Sequence, residues 1–390
     1  MNILFYRYNS ICEPDIITTF QNLGLHVVEE TSEMYHKNIS PEERVNIIVN
    51  RIKDCQPLFL FSINFFPAIA EVCHIFHTLY VCWTVDCPVT ELFSKAILHD
   101  TNRIFMFDHA QYTYYHPYNP NCIYYLPLAA NTQRFDTVIS SITGRDRNQY
   151  SNDISFVGSL YTEKNPLNHL TLSPYNAGYI SGIIDASLKI YGYNLIEEMM
   201  TQSLIQELQA KISNFLPTYN TITDPSAFLA AHCYIGMQAA ETERIRTLNR
   251  LAECFSVDLY TRSDSSSLSN ITVHGGVKTL TEMPKIFHLS KINLNMTIKP
   301  IQTGLPLRIF DIMGCGGFLM TNYQAELTDF FEIGTDLEAY SSLDELCDKC
   351  SFYLTHPDIR EKIAQNGYKK ISEHHSYQNR ILTMLKYITE

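Results

Sequence analysis

Thr303-Gly304-Leu305-Pro306-Leu307-Arg308-Ile309-Phe310-Asp311-Ile312-Met313-Gly314-Cys315-Gly316-Gly317-Phe318-Leu319-Met320-Thr321-Asn322 reads as a turn, a helix, a glycine break and a strand. Gly304 to Pro306 turns the chain into a helix expected from Leu307 to Met313. Gly314, Gly316 and Gly317 end that helix and return the chain to a strand over Phe318 to Thr321. The unpaired N–H groups and the dipole at the helix start favour an anion such as a diphosphate. Arg308 adds a permanent charge and a planar fork suited to phosphate. Asp311 stands at i+3 on the same helix face, where a carboxylate can accept two hydrogen bonds from a ribose diol. The alternative for these two residues is a structural ion pair on a packing helix.

Working outward, the same grammar repeats. Ile292 to Asn295 is the strand before this unit, and Val257 to Tyr260 and Ile271 to Val273 precede it. Ile154-Ser155-Phe156-Val157 opens the series and runs straight into Gly158. In the N-terminal third, Ile3 to Tyr6, Leu25 to Glu29, Leu58 to Ile63, Leu79 to Trp83, Ile104 to Phe107 and Ile123 to Leu126 read as strands. Continuous apolar runs of this kind suit strands covered on both faces. Helices are expected over Pro14 to Leu23 and after Ser40-Pro41, with Ser40 as N-cap. Strands alternating with helices imply βαβ units and parallel sheets.

The polar stretch Asn131 to Asp153 is expected to link two domains, 1–150 and 151–373, followed by a terminal helical segment, 374–390. Residues from about 165 to 229 break the alternation with long helical patterns such as Ile180 to Met200 and Leu204 to Phe215, and are expected to form a helical insertion.

Composition narrows the function. Net charge is -12, from 29 Lys+Arg against 41 Asp+Glu, which argues against a nucleic-acid partner. The most apolar run, Pro57 to Ala70, contains Asn64 and Pro67 and is shorter than the ~20 residues of a membrane span. The start MNILFYRYNS lacks the charged and apolar regions of a signal peptide. Eleven cysteines without a repeating frame argue against a disulfide scaffold. A soluble, cytoplasmic protein without an integral membrane segment is expected, its oligomeric state open.

Ligands of open parallel sheets bind beyond the carboxyl ends of strands. Gly158 and Ser159, directly after a strand, are therefore phosphate-turn candidates, with an ordinary tight turn as the alternative. Cys347-x-x-Cys350 lacks a second pair and is read as incidental helix residues. His374-His375 is placed on a solvated helix end. Asn38, Asn270 and Asn295 head glycosylation triplets that carry little weight without a secretory signal. No G-x-G-x-x-G or G-x-x-x-x-G-K-[ST] is present, which disfavours nicotinamide dehydrogenases and P-loop enzymes.

The segment from Pro306 to Thr321 resembles the donor motif of GT-B glycosyltransferases of the CgeB-like or family-1-like group, P-x-R-x-F-[ED]-x-x-x-x-G-x-F-[LM]-[LIM]-[TS]. Asp153 to Gly158 is similar to that group's D-[IV]-[SA]-F-[VI]-G, and Trp83-Thr84-Val85-Asp86-Cys87-Pro88 to its W-x-x-D-[ST]-P. Tyr125-Leu126-Pro127-Leu128-Ala129 is similar to its Y-L-P-x-A. Glu282-Met283-Pro284, Ser290 to Asn295 and His356 to Tyr368 also resemble family segments, so the likeness spans nearly the whole chain apart from the insertion.

The resemblance implies an α/β GT-B fold, with two Rossmann-like parallel-sheet domains facing a cleft and a C-terminal helix packing back on the first. It implies a glycosyltransferase that moves a sugar from a nucleotide-sugar, a UDP-sugar by expectation, to a glycan, lipid-linked glycan or protein acceptor. It also implies that no metal is required, and with no Asp-x-Asp triplet in the chain a dedicated metal-binding carboxylate pair is not suggested. The implied donor-side residues are Gly158, Ser159, Gly276, Val277, Thr303, Gly304, Leu305, Arg308 and Asp311, with Lys299 and Lys164 as further cations. Gly276 and Val277 stand where the family places its base contact.

On the acceptor side stand Asn9, Ser10 and Asp86. Asp86 is the candidate general base, with helix capping as its alternative. Thr303 departs from the pattern, because many retaining GT-B enzymes carry glutamates at the places of both Thr303 and Asp311. A silent homologue that only binds carbohydrate or nucleotide, and an epimerase acting on the nucleotide-sugar, are the rival readings.

Overall fold

The computed structural model describes residues 2–36 and 39–389; Asn38, which heads one triplet, lies outside them. The chain forms two compact units. The first runs to Leu128 and adds Pro217–Pro225 and the segment from Tyr377 on; the second is Ala129–Leu216 with Ser226–Ser376.

The first unit holds β1 (Asn2–Tyr6), β2 (His26–Glu30), β3 (Phe59–Ile63), β4 (Leu79–Trp83), β5 (Asn102–Met106) and β6 (Ile123–Tyr125). They pair in the order β2-β1-β3-β4-β5-β6, every pair parallel. All five residues of β3 are buried, as an apolar run between two helical layers requires. Ser40 caps the helix Pro41–Cys55 by accepting from the Glu43 amide. The fully buried Trp83 donates from Nε1 to the Leu126 carbonyl at 3.1 Å, joining two motifs far apart in sequence. The terminal helix Tyr377–Thr389 belongs to this unit: Arg380 Nε donates to Pro127 O at 2.8 Å, and Tyr377 meets Trp83 edge-on at 6.0 Å.

The second unit holds β7 (Ile154–Val157), β8 (Val257–Tyr260), β9 (Thr272–His274), β10 (Ile292–Asn295), β11 (Leu319–Asn322) and β12 (Glu338–Tyr340). Their order is β12-β11-β10-β7-β8-β9, again all parallel. Residues 165–229 supply helices Pro174–Ser187 and Gln202–Lys211. With the following helical segment they bury a core of their own, including Ile180, Ile184, Leu204, Leu208 and Ile235.

Four expectations change. The stretch from Asn131 to Asp153 is not a link: it forms helices Thr132–Ser140 and Gly144–Tyr150, and the compact units divide after Leu128 instead of 150. Polar caps disguised these helices. Asn131 accepts from the Arg134 amide, Thr143 and Asp146 form a capping box, and few apolar residues such as Phe135 anchor them.

The helix expected over Ile180 to Met200 ends at Ser187. Gly192 adopts φ +74, and a Cβ there would lie 2.7 Å from the Tyr323 ring, so the chain must turn. Within the insertion, Pro217–Pro225 joins the first unit; Lys95 N donates to Asn220 O at 2.9 Å and Ile222 N to Phe93 O at 2.8 Å. His375 is not on a solvated end: it is buried among the rings of Phe310, Phe330 and Phe331. Among the described residues, no helix is long and apolar enough to cross a membrane.

Candidate functional site

In both sheets the first strand of the unit lies inside. The chain leaves β7 for β8 and β9 on one side, then returns to β10 on the other. Such a reversal parts the following loops and opens a crevice at the carboxyl ends of the two central strands. Gly158 and Ser159 follow β7, and the segment from Met296 to Pro306 follows β10.

Arg244, on the helix Gly236–Ala252, spans this crevice. Its Nη1 donates to Ser159 O at 2.5 Å and its Nη2 to Met296 O at 2.9 Å. The guanidinium lies over the Tyr161 ring at 4.5 Å and the Phe156 ring at 5.3 Å. Its Nε is buried with no hydrogen-bond partner, an orphaned donor of the kind that a bound ligand or water satisfies. Burial lowers the Arg244 pKa, Tyr161 and Glu243 oppose that, and the nearby positive charge of Arg308 adds to it.

Arg308 opens the helix Leu307–Gly314, whose start has no side-chain cap. Its Nη1 stands 3.5 Å from Asp311 Oδ2, beside Met283 Sδ, with the guanidinium 5.2 Å from the Phe287 ring centre. Burial lowers its pKa and Asp311 raises it. The ion pair expected as the alternative is therefore present, at long range, with Asp311 buried. Gly316 takes φ +69, and a Cβ on Gly317 would sit 2.5 Å from Phe287 O, so the glycine break is a requirement of packing.

The turn after β7 differs from a phosphate cradle. The Gly158 amide donates to Tyr260 O, the Leu160 amide to Ser263 Oγ and the Tyr161 amide to Ser159 Oγ. With these amides committed within the protein, the turn contributes the Ser159 carbonyl that holds Arg244.

Thr303 donates to Glu326 Oε1 at 2.6 Å, while Gly304 and Leu305 are buried. Lys299 donates to Ile190 O and lies 4.8 Å from the Tyr191 ring centre; burial lowers its pKa and Glu243 raises it. Lys164 is exposed on the loop after β7. Gly276 is exposed next to Val277, and a Cβ on it would overlap the Arg262 side chain.

The first unit repeats the reversal between β1 and β3. Asn9 adopts φ +76, and the amides of Tyr8 and Ser10 donate to Glu13 Oε1 at 2.9 and 3.0 Å. Asn64 gathers the remaining loops. Its Nδ2 donates to Asp86 Oδ2 at 2.7 Å and Tyr8 OH at 2.9 Å, and its Oδ1 accepts from the Val85 and Asp86 amides. Asp86 is exposed and begins no α-helix; the next helical turn is a 3₁₀ turn at Thr90–Phe93. The capping alternative is not what this residue does.

Asn64 and Arg244 escaped sequence reasoning. Asn64 directly follows β3, which is a readable signal. Arg244 lies inside a helix among other charged residues and gives none. Among the described residues, no three His, Cys, Asp or Glu side chains gather to hold a metal ion.

Two six-stranded parallel sheets of this order define a GT-B fold. Residues 243–386 match a family described as Glycosyl transferase-like. HepE of Anabaena, solved in complex with UDP-glucose, is similar over 100% of this chain and 99% of its own, at 11% identity and a TM-score of 0.54. Sucrose-phosphate synthase of Thermosynechococcus elongatus is similar over 99% and 98%, at 9% identity and a TM-score of 0.56. A glycosyltransferase of Rickettsia africae aligns over 100% and 97%, at 9% identity and a TM-score of 0.53. No curated protein is similar to the chain in sequence.

Proposed function

We propose that the protein is a glycosyltransferase of the CgeB-like group that moves a sugar from a UDP-sugar to a hydroxyl of a glycan, lipid-linked glycan or protein, with no metal required. The observation that carries this reading is Arg244, which spans Ser159 O and Met296 O at the carboxyl ends of β7 and β10 and whose Nε is left without a partner. As the sugar leaves UDP, negative charge grows on the diphosphate, and fixed cations aimed at it stabilise the transition state. Arg308 and the uncapped helix start meet that charge, and Arg244, held against the turn after β7 from its own helix, supports it. Asp311 is assigned to the ribose, Gly276 and Val277 to the base, and Gly158, Ser159 and Thr303 to Leu305 to the crevice wall.

Asp86 takes the proton of the acceptor hydroxyl, oriented by Asn64, while Asn9 and Ser10 border the acceptor. UDP is chosen because HepE was solved with UDP-glucose. None of the eleven cysteines is in a disulfide, which supports a cytoplasmic setting. Thr303, standing where a glutamate is common in retaining relatives, favours the second reading, a silent homologue that binds nucleotide without turnover.

Calorimetry with UDP in the presence of EDTA tests the assignment. Binding by the wild type, weakened at least about 10-fold in Arg308→Ala, is the expected result. UDP binding without release of sugar from any UDP-sugar would favour the silent homologue. No binding of UDP, with or without divalent metal, would remove the donor assignment.

A further inference from the structure

The segment from Thr297 to Thr303, which forms one wall of the crevice, has no helix or strand of its own. Its backbone polar groups need partners from elsewhere. Three of those partners are alternate residues that begin with Asn322, the last residue of β11. Asn322 Oδ1 accepts from Thr297 N at 2.8 Å, and its Nδ2 donates to Thr297 O at 3.0 Å. Gln324 Nε2 donates to Ile301 O at 3.2 Å. The Glu326 amide donates to Thr303 O at 3.3 Å, and Glu326 Oε1 accepts from Thr303 Oγ1 at 2.6 Å. All three residues are nearly enclosed, at 2%, 6% and 4% exposure.

Burying an amide, a second amide and a carboxylate side by side is costly unless each is hydrogen-bonded, and apolar residues would fill the space at lower cost. What polar residues add is a fixed backbone path. A loop held in its binding shape loses less freedom when a ligand arrives.

We propose that Asn322, Gln324 and Glu326 form a ladder of positioning residues that holds the 297–303 wall in its ligand-binding conformation, with Glu326 on Thr303 as its last rung. This rests on the reading of that crevice as the UDP-sugar site. The rungs touch the wall and not the ligand. Their loss therefore weakens binding by loosening the wall, while the fold around β10 and β11 persists. Asn322 also donates to Glu243 Oε1 at 3.3 Å, which ties the first rung to the helix that carries Arg244.

Two measurements on the full chain test the ladder. Hydrogen exchange of the unliganded protein should speed up across 297–303 in Gln324→Ala and Thr303→Val, with β7, β10 and the Leu307–Gly314 helix unchanged. UDP affinity by calorimetry should fall about 10-fold in both variants. Thr303→Ser keeps the hydroxyl and should restore both readouts, and Glu326→Gln, which keeps an acceptor, should stay close to the wild type. Unchanged exchange in the 297–303 segment overturns the ladder, whatever UDP does. Faster exchange with wild-type UDP affinity also overturns it, since the wall would then not matter to binding. Absence of UDP binding in the wild type itself, with exchange responding as described, overturns the donor reading instead.

Discussion

The two sheets share one topology and offer opposite chemistry at their crevices. Beyond β1 and β3 stand carboxylates and neutral hydrogen-bonding groups, with Arg7 neutralised between two glutamates. Glu13 is fully buried under the amides of Tyr8 and Ser10, and Arg7 pairs with both Glu13 and Glu29. Asp86 is exposed and oriented by Asn64. Beyond β7 and β10 stand Arg244, Arg308 and Lys299, braced by protein carbonyls and aromatic rings. One crevice suits a neutral hydroxyl that must lose a proton, and the other suits an anion. The difference comes from a few residues after strand ends, because the strands themselves are buried and interchangeable in kind. On the proposed function, the first crevice would serve the acceptor and the second the donor, so the contrast can be tested at each crevice separately.

The contrast breaks first at Asp86. If the acidic crevice supplies the base, Asp86→Asn should lower transfer by ~10²–10⁴-fold and leave UDP affinity unchanged. Replacing the carboxylate by an amide keeps the shape, and the Asn64 contact survives through the new amide oxygen. A transfer rate within a few-fold of the wild type would remove Asp86 from the chemistry and leave the first crevice as a binding surface only. Arg244→Lys sharpens the other side. Lysine keeps the charge and loses the fork that reaches Ser159 and Met296 together. UDP affinity should fall about 10-fold, the scale of a lost charge-assisted contact. An unchanged affinity would show that charge alone matters at this position.

Much of this was readable from the residues, and the exceptions share a cause. Eleven of the twelve strands were readable within a residue or two, most of them as continuous apolar runs, the composition that a strand between two helical layers requires. The last strand, Glu338–Tyr340, was not read, since Glu338-Ala339-Tyr340 opens on a charge and has no apolar run. β9, expected at Ile271 to Val273, lies one residue further on at Thr272–His274. Arg308, Asp311 and the glycine break were legible because helix start, charge and turn fall within one short segment.

Arg244 and the Asn322, Gln324, Glu326 ladder were not, for the opposite reason. Their partners, Ser159, Met296, Ile301 and Thr303, lie tens of residues away in the chain, and only the parallel sheet brings them together. The same limit hid the role of Pro217–Pro225, a polar piece of the insertion that pairs with the loop after β4. Amphipathic helices with few apolar anchors, such as Thr132–Ser140, looked like a link because composition weighs every position equally while burial uses one face.

The smallest expected effect bears on Glu243, the acid beside Arg244 on its helix in the cationic crevice. Glu243 is 4% exposed and accepts from Asn322 Nδ2 at 3.3 Å. Burial raises its pKa above the ordinary 4.5, while Lys299, Asn322 and Arg244 pull it down. A carboxyl whose pKa is raised in the folded state contributes full stability below its unfolded pKa and loses stability as pH climbs through the folded value. Glu243→Gln removes the ionisation and keeps an acceptor for Asn322. Its melting temperature should match the wild type near pH 4 and exceed it by pH 8, with the gap opening between. A gap that stays constant with pH would mean that Lys299 and Arg244 neutralise the Glu243 charge at no cost to the fold. Part of the crevice's positive charge would then already be spent inside the protein, and the contrast between the two crevices would rest on Arg308 alone.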